Sequence, residues 1–292
     1  SKKVVKYKES KAINGGLLMT FEGNPETVEV KSLSEELKDF KVTHAKRSDS
    51  VNIWFDAEKS NLGGTVSKQV KLSYFTPTIS DTISVSYKAV KEEFKLSNEA
   101  GNLIAPENNF VINTSLPIEN LNTSSWKLES DSIAQDFTAK VSEKNPFKIL
   151  VNSSFKPTKK YVLTIPKETV SSYYSSNDKS FQFQFEIDKP ENYGSFTAVI
   201  KNKPTAKFWV ELTNEKGEIL YSQFTNASEV SFKNLKPATY IARIRVDNNG
   251  NGFWDEADFA QNIAAEDVYI FEKEINVRPL WEIKEDWELT NH

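Results

Sequence analysis

Apolar and polar side chains alternate along most of this chain with a period of two. Short runs of β-branched and aromatic residues are separated roughly every ten residues by clusters of Asn, Asp, Gly, Ser and Pro. The segment 181–187 shows the pattern well, with Phe or Ile at the odd positions and Gln or Glu at the even ones. Such alternation gives a strand one buried and one solvated face. The pattern predicts an all-β protein built from tandem β-sandwiches.

Charged and turn-rich segments divide these strands into three groups. The charged stretch Lys88–Glu93 follows the first group, and Pro190–Gly194 follows the second. We therefore predict three sandwich domains, over residues 1–92, 93–190 and 191–292. Asn214–Gly217 predicts a hairpin turn in the last of these. The best helix pattern is Ser32–Leu37, which resembles a capping box and predicts one or two helical turns.

Composition removes several classes of chemistry. The 292 residues contain no Cys, which excludes disulfide scaffolds, thiol nucleophiles and cysteine-ligated metals. The two His residues, His44 and His292, leave little material for a catalytic triad or a histidine metal site. The formal net charge of −4, with both signs interspersed, argues against binding driven by nucleic-acid phosphates. The sequence therefore favours a binding or structural protein over an enzyme.

In one loop, residues with oxygen donors have the spacing of a calcium-binding site. Counting from Asp247 as position 1, oxygen donors fall at positions 3, 5, 7, 9 and 12 of an EF-hand-type loop, with Gly252 at position 6. The predicted Ca²⁺ ligands are Asp247, Asn249, Asn251, the Phe253 carbonyl, Asp255 and Asp258. Because a strand precedes this loop and no helix pattern follows it, we predict a calcium loop within a β-domain. The alternative is a plain Asn/Gly-rich turn whose side chains bond its own backbone.

Other candidates are weaker. His44 is predicted to be an exposed residue at a strand end. Most aromatic residues alternate with polar ones inside strands, so core packing is favoured over a sugar-binding platform. Trp281 and Trp287 alternate with charged residues, and one of them could lie exposed at an interface.

The C-terminal part of the chain resembles a known family. The segments Leu235–Tyr240, Arg243–Asp255 and Ile275–Glu282 are similar to the end of Bacteroidota surface lipoproteins that carry a bacterial Ig-like (SbsA-type) domain, although Pro279 and Leu280 replace an Ala-Asn pair. Asp49–Trp54 resembles a recurring strand of the same proteins, and the middle region resembles their Ig-like module.

The resemblance implies an exported protein anchored in the outer membrane by a lipidated Cys upstream of Ser1. It also implies tandem Ig-like β-sandwich domains that end in a transthyretin-like or carboxypeptidase-regulatory-like seven-stranded sandwich. The implied role is that of an accessory subunit of an outer-membrane protein complex or β-barrel. Asp49, Asp81 and Asp131 begin tripeptides that match the short O-glycosylation pattern of this phylum.

Three functions remain open at this point. The first is a non-enzymatic structural or accessory subunit that binds a partner protein. The second is a glycan-binding or adhesive module that uses exposed aromatic rings and the calcium loop. The third is a hydrolase with a carboxylate pair, which lacks any distinctive acidic residue in the sequence.

Overall fold

A computed structural model describes residues 4–257 and 264–290 of the chain. In these ranges the regular structure consists of β-strands and one short 3-10 helix, Pro190–Asn192. The strands of the first sandwich are β1 (Lys6–Ile13), β2 (Gly16–Glu22), β3 (Glu29–Ser32), β4 (Lys41–Thr43), β5 (Ser50–Trp54), β6 (Lys68–Phe75) and β7 (Ser80–Tyr87). Those of the second are β8 (Leu96–Asn98), β9 (Leu103–Ile104), β10 (Phe110–Thr114), β11 (Asn120–Leu121), β12 (Lys127–Ser130), β13 (Ile133–Ala134), β14 (Thr138–Val141), β15 (Lys148–Asn152), β16 (Lys160–Ile165), β17 (Val170–Ser171) and β18 (Phe181–Ile187). Those of the third are β19 (Gly194–Lys201), β20 (Phe208–Thr213), β21 (Ile219–Thr225), β22 (Glu229–Leu235), β23 (Ala238–Val246), β24 (Val268–Ile270), β25 (Ile275–Val277) and β26 (Glu282–Glu288).

The first sandwich packs an antiparallel sheet of order β1-β2-β5-β4 against a sheet of order β3-β6-β7. Alternate residues of β2 and β6 point into one core, where Leu17, Met19, Val70 and Leu72 are fully buried. This alternation is the reason that these segments form half-buried strands.

The second sandwich has sheets of order β14-β15-β10-β8 and β13-β12-β16-β18-β9, with β11 and β17 forming a separate pair. Its core contains Phe110 stacked on Phe185 at a ring-centroid distance of 4.2 Å. In β18, Phe185 and Ile187 are buried while Gln182 and Gln184 are exposed, as the alternation predicts.

The third sandwich positions the candidate loop. One sheet has the order β22-β19-β26, with β19 and β26 parallel, and the other has the order β21-β20-β23-β24, with β25 also paired to β23. Phe196, Phe208 and Tyr240 fill the core between them. Strand β23 ends at Val246, so Asp247 emerges at the end of this sandwich.

The predicted fold class, tandem Ig-like β-sandwiches, is confirmed. The helix predicted at Ser32–Leu37 is wrong. The Lys71 N–H of β6 donates to Ser34 Oγ at 2.8 Å and Leu33 N–H donates to the Lys71 carbonyl at 2.9 Å, so the segment is bound to β6 instead. Leu37 is buried in the first core rather than on a helix.

Side chains join neighbouring sandwiches. Trp54, at the end of β5, lies in the core of the second sandwich with its ring 6.2 Å from that of Phe147. Asn234, in β22, donates through Nδ2 to the Pro106 carbonyl of the second sandwich at 3.0 Å. Over the described ranges, the chain has no helix with the length and apolar character that a bilayer crossing requires.

Candidate calcium-type loop

The loop begins with a buried carboxylate. Asp247 is only 4% exposed, and its two oxygens accept the N–H groups of Asn251 at 3.0 Å and Gly252 at 2.9 Å. Gly252 has φ +81°, a left-handed conformation that favours glycine and lets the chain turn back toward Asp247. Position 1 of the predicted loop therefore organises the turn.

Three further predicted ligands, Asn249, Asn251 and Asp255, are joined by hydrogen bonds at one oxygen of the Asp255 carboxylate. Asn249 and Asn251 each donate through Nδ2 to Asp255 Oδ2 at 2.7 Å. Their amide oxygens accept the N–H groups of Asn251 at 3.0 Å and Phe253 at 2.8 Å. The structure thus brings Asp247, Asn249, Asn251 and Asp255 into one hydrogen-bonded loop, while predicted position 12, Asp258, lies outside the described residues.

Glu266 is a member of this loop that the sequence did not predict. It is 6% exposed, and its carboxylate accepts the N–H of Asn249 at 3.1 Å and the N–H of Asp255 at 2.8 Å. Its backbone N–H donates to the Asp255 carbonyl at 2.9 Å, and its carbonyl accepts Trp254 Nε1–H at 3.2 Å. The spacing of an EF-hand-type loop cannot predict Glu266, because Glu266 lies beyond its twelve positions and contacts the loop only in the folded structure.

Arg47, from the segment between β4 and β5 of the first sandwich, also reaches the loop. Its Nη1 donates to Asp255 Oδ1 at 2.5 Å, and its Nε donates to Glu26 Oε1 at 2.8 Å. Its guanidinium carbon lies 4.7 Å from the centre of the Phe253 ring. Arg47 has φ +63°, which is uncommon for a residue with a side chain and marks a constrained position. We call the Glu26–Arg47–Asp255 set the clasp.

The environment keeps Asp255 ionised. Burial by itself raises its pKa, but hydrogen bonds from Asn249, Asn251 and Arg47, together with the Arg47 charge, outweigh burial and hold the pKa below its ordinary value. Asp255 therefore acts as a carboxylate acceptor shared between its own loop and the first sandwich.

The donor chemistry of the loop suits a hard cation, because carboxylate, amide and carbonyl oxygens are the ligands that Ca²⁺ prefers. Within the described ranges, however, no group of three acidic or histidine side chains is gathered closely enough to hold an ion. Calcium would therefore need the amide oxygens of Asn249 and Asn251, which here accept backbone N–H groups as in a plain turn. The fit is one of ligand type, and the six-residue ligand set remains a prediction.

The structure places the His and Trp residues singled out in the sequence in different environments. His44 Nε2 lies 2.9 Å from the Ser48 carbonyl, and the imidazole lines a groove of about 490 Å³ beside β3 and β4. Trp287 is in the third core, 5% exposed, whereas Trp281 is 48% exposed with the Arg278 guanidinium 5.2 Å from its ring. His292 lies outside the described residues.

The fully buried carboxylate Glu211 is not a free acid. It is 0% exposed and is bound by both Arg243 and Arg245. Both oxygens of this carboxylate are bound by guanidinium groups, which is the arrangement of a structural ion group.

Comparison with known proteins gives no family. No protein-family description and no curated protein matches the chain. Solved structures that align with it include native α2-macroglobulin domains MG0-NIE-MG1 from Escherichia coli, with 8% identity over 61% of this chain and 69% of that one, at a TM-score of 0.26. Domains 5–6 of the S-layer protein SbsC align with 12% identity over 65% of this chain and 98% of that one, at a TM-score of 0.25. Protocadherin gamma C5 EC1-3 aligns with 11% identity over 77% of this chain and 86% of that one, at a TM-score of 0.19. At TM-scores this low, nothing about function follows from these alignments.

Proposed function

We propose that this chain is a non-enzymatic structural module of an exported surface protein, acting as an accessory subunit of an outer-membrane protein complex. The observation that carries the proposal is that every pair of sandwiches is joined by specific side-chain contacts. Trp54 joins the first to the second, Asn234 the second to the third, and Arg47 the first to the third. Sandwiches fixed in this way present their outer faces and loops to a partner at set distances, which favours assembly.

The location rests on the resemblance of the C-terminal segments to Bacteroidota surface lipoproteins. A gentle pull-down of the tagged protein from detergent-solubilised native membranes tests the proposal. We expect a stable complex that contains an outer-membrane β-barrel. A strictly monomeric protein that never co-purifies with a membrane component would contradict it.

Glycan binding is the second candidate, favoured by the exposure of Trp281. Affinity electrophoresis in polysaccharide gels with Ca²⁺ tests it, comparing the wild type with Trp281→Ala. Retardation that the substitution removes would support a glycan-binding module. Equal mobility in every polysaccharide, with and without Ca²⁺, would eliminate this candidate.

We also propose that the loop of Asp247, Asn249, Asn251, Phe253, Asp255 and Asp258 binds Ca²⁺ and is stiffened by it. An ion that binds only the folded state stabilises that state by mass action, so EDTA should lower the melting temperature and excess Ca²⁺ should restore it. The affinity expected for such a loop is in the range of extracellular modules, Kd about 10⁻⁴–10⁻³ M.

Asp247→Ala should abolish the response to Ca²⁺ in the same melting experiment. Asn248→Ala is the matched control, because Asn248 lies beside Asp247 but at a position that supplies no predicted ligand. The control should keep the full EDTA effect. A wild-type melting curve that ignores both chelator and Ca²⁺ would show that the loop is a plain turn.

A further inference from the structure

The outer face of the sheet β21-β20-β23-β24 carries two rows of side chains that cross all four strands. Directly paired residues of antiparallel strands point to the same side of the sheet, so the register defines each row. The first row is Phe224, Trp209, Arg245 and Val268, and the second is Ser222, Glu211, Arg243 and Ile270. We call these eight residues the arginine face.

Aromatic and cationic groups of the first row are held against one another. The rings of Trp209 and Phe224 stack at 4.7 Å and 25°. Lys207 Nζ lies 5.6 Å from the Phe224 ring, and the Arg245 guanidinium carbon lies 5.9 Å from the Trp209 ring and 5.8 Å from the Trp254 ring. The Trp209 and Phe224 rings therefore pack on each other and each has a cation within about 6 Å of its centre. These contacts order the first row in the absence of a partner.

The second row leaves positive charge in excess. Glu211 is fully buried beneath Arg243, whose Nη2 lies 2.9 Å away, and Arg245, whose Nε lies 2.5 Å away. Two guanidinium groups thus share one carboxylate, and their side chains remain 25% and 27% exposed. Within residues 4–257 and 264–290, Arg243 Nε is the one buried side-chain nitrogen or oxygen that has no hydrogen-bond partner. That nitrogen is buried, so the donors open to an outside acceptor are those on the exposed parts of the two guanidinium groups.

Exposed apolar side chains border these arginines at both ends of the rows. Phe224 is 45% exposed at one edge, and Val268 and Ile270 are 41% and 65% exposed at the other. Single exposed apolar residues are ordinary on a protein surface, but apolar residues flanking fixed Trp and Arg side chains have the composition of a binding hot spot.

We propose that the arginine face is the docking surface for a partner protein segment that carries a carboxylate flanked by apolar side chains. The proposal rests on the proposed role of the chain as a partner-binding module, and it names the chemistry of that partner. The carboxylate accepts from Arg243 and Arg245 and balances the excess positive charge. The apolar side chains cover Phe224 at one edge and Val268 and Ile270 at the other.

A random peptide library displayed on phage, selected on the immobilised full chain, tests this chemistry without knowledge of the natural partner. We expect the selected peptides to place Asp or Glu next to Leu, Ile or Phe. Synthetic peptides of the selected sequences should bind the Val268→Ser, Ile270→Ser double variant at least tenfold more weakly than the wild type, in fluorescence anisotropy. Leu280→Ser is the matched control, because Leu280 is 68% exposed and lies outside this face, and it should bind as tightly as the wild type.

A second variant tests the charge while keeping the ion group balanced. The triple substitution Glu211→Gln, Arg243→Gln, Arg245→Gln removes the charges together and should lose the preference for acidic peptides. Selected peptides without carboxylates, or equal binding to wild type and all variants, would overturn the docking surface. If the double serine variant still recovers the membrane complex as efficiently as the wild type, the arginine face is wrong while the accessory-subunit function stands.

Discussion

Gly194, at the start of β19, lies tightly against the end of β25 and the connection from β25 to β26. A Cβ atom at this position would lie 2.6 Å from Val277 Cγ1, 2.7 Å from the Arg278 carbonyl oxygen and 2.9 Å from the Trp281 carbonyl oxygen. Two of these three neighbours are backbone atoms, which cannot move aside as a side chain can. A methyl group at the start of β19 would therefore overlap these backbone atoms and push the two segments away from each other.

We predict that Gly194→Ala lowers the free energy of unfolding by about 1–3 kcal/mol, the usual cost of overpacking. Urea denaturation checks the value. Ser195→Ala, at the adjacent position, should change it by no more than about 0.5 kcal/mol. An unchanged urea midpoint for Gly194→Ala would contradict the close approach at this residue.

The lowered pKa of Asp255 predicts the direction of a pH effect. Its folded pKa lies below the unfolded value of about 3.9, so the carboxylate contributes its full stabilisation above that pH. The contribution is lost as the pH falls through the folded pKa. The difference in melting temperature between wild type and Asp255→Asn should therefore be largest near neutral pH and shrink in acid.

Thermal melts of both proteins between neutral pH and about pH 3 measure that difference. Asp286→Asn is the control, since Asp286 is exposed on β26 and has no ion-pair partner among the described residues. Its difference from the wild type should stay near zero throughout. A wild-type advantage over Asp255→Asn that persists or grows in acid would refute the assignment.

At the scale of single elements, β20 and β23 show how a sheet face is assembled from distant strands. Glu211 of β20 takes two arginines of β23 as partners because the antiparallel register places Arg243 directly opposite it and Arg245 two residues further on. A buried carboxylate is tolerated only when such partners neutralise it. The sheet register therefore decides whether the charge at residue 211 stabilises or destabilises the fold.

We expect Glu211→Ala to cost about 3 kcal/mol, because it leaves two half-buried guanidinium groups without their carboxylate. Replacing the three residues together, with Glu211→Leu, Arg243→Leu and Arg245→Leu, should cost less than the single substitution, since no charge is then left unpaired. Chemical denaturation of both variants makes the comparison. A triple variant less stable than Glu211→Ala would mean that the ion group itself supplies net stability.

At the scale of the whole molecule, the clasp connects residues that are 208 positions apart in the chain. It closes the first sandwich onto the loop of the third, while Trp54 and Asn234 join the sandwiches that are neighbours in sequence. The Arg47 and Asp255 side chains are only 20% and 13% exposed, so salt screens this contact less than it screens a surface ion pair.

We predict that Arg47→Gln increases the distance between spin labels placed on the first and third sandwiches, or broadens its distribution. Asp255→Asn should have the same effect, and the double variant should be no worse than either single one, because the two groups act through one contact. Pulsed dipolar spectroscopy measures the distance, and Lys59→Gln, an exposed position of the first sandwich, is the control. Distances that match the wild type in both single variants would show that the clasp does not hold the sandwiches.

Much of the fold was predictable because alternation is a local property. The buried residues Phe185 and Ile187 and the exposed residues Gln182 and Gln184 occupy the faces that a period of two assigns to them. The helix at Ser32–Leu37 was mispredicted for the opposite reason, since Ser34 bonds to Lys71 in another strand. Of the candidate site, the turn made by Asp247, Asn249 and Asn251 followed from spacing, because its hydrogen bonds join residues within five positions of one another.

The sequence alone was sufficient for the all-β class and for the turn at Asp247–Gly252, because both depend on side chains that are close together along the chain. The Ca²⁺ ligand set of this loop stays a prediction. The positions of Glu266, Arg47 and the Glu211 ion group required the folded structure. These contacts form only when the strands have paired and the sandwiches have packed against one another. Strand pairing and sandwich packing are not encoded in the spacing of neighbouring residues. Several acidic or basic side chains of the chain carry the same charge, and the tertiary fold determines which of them are brought into contact.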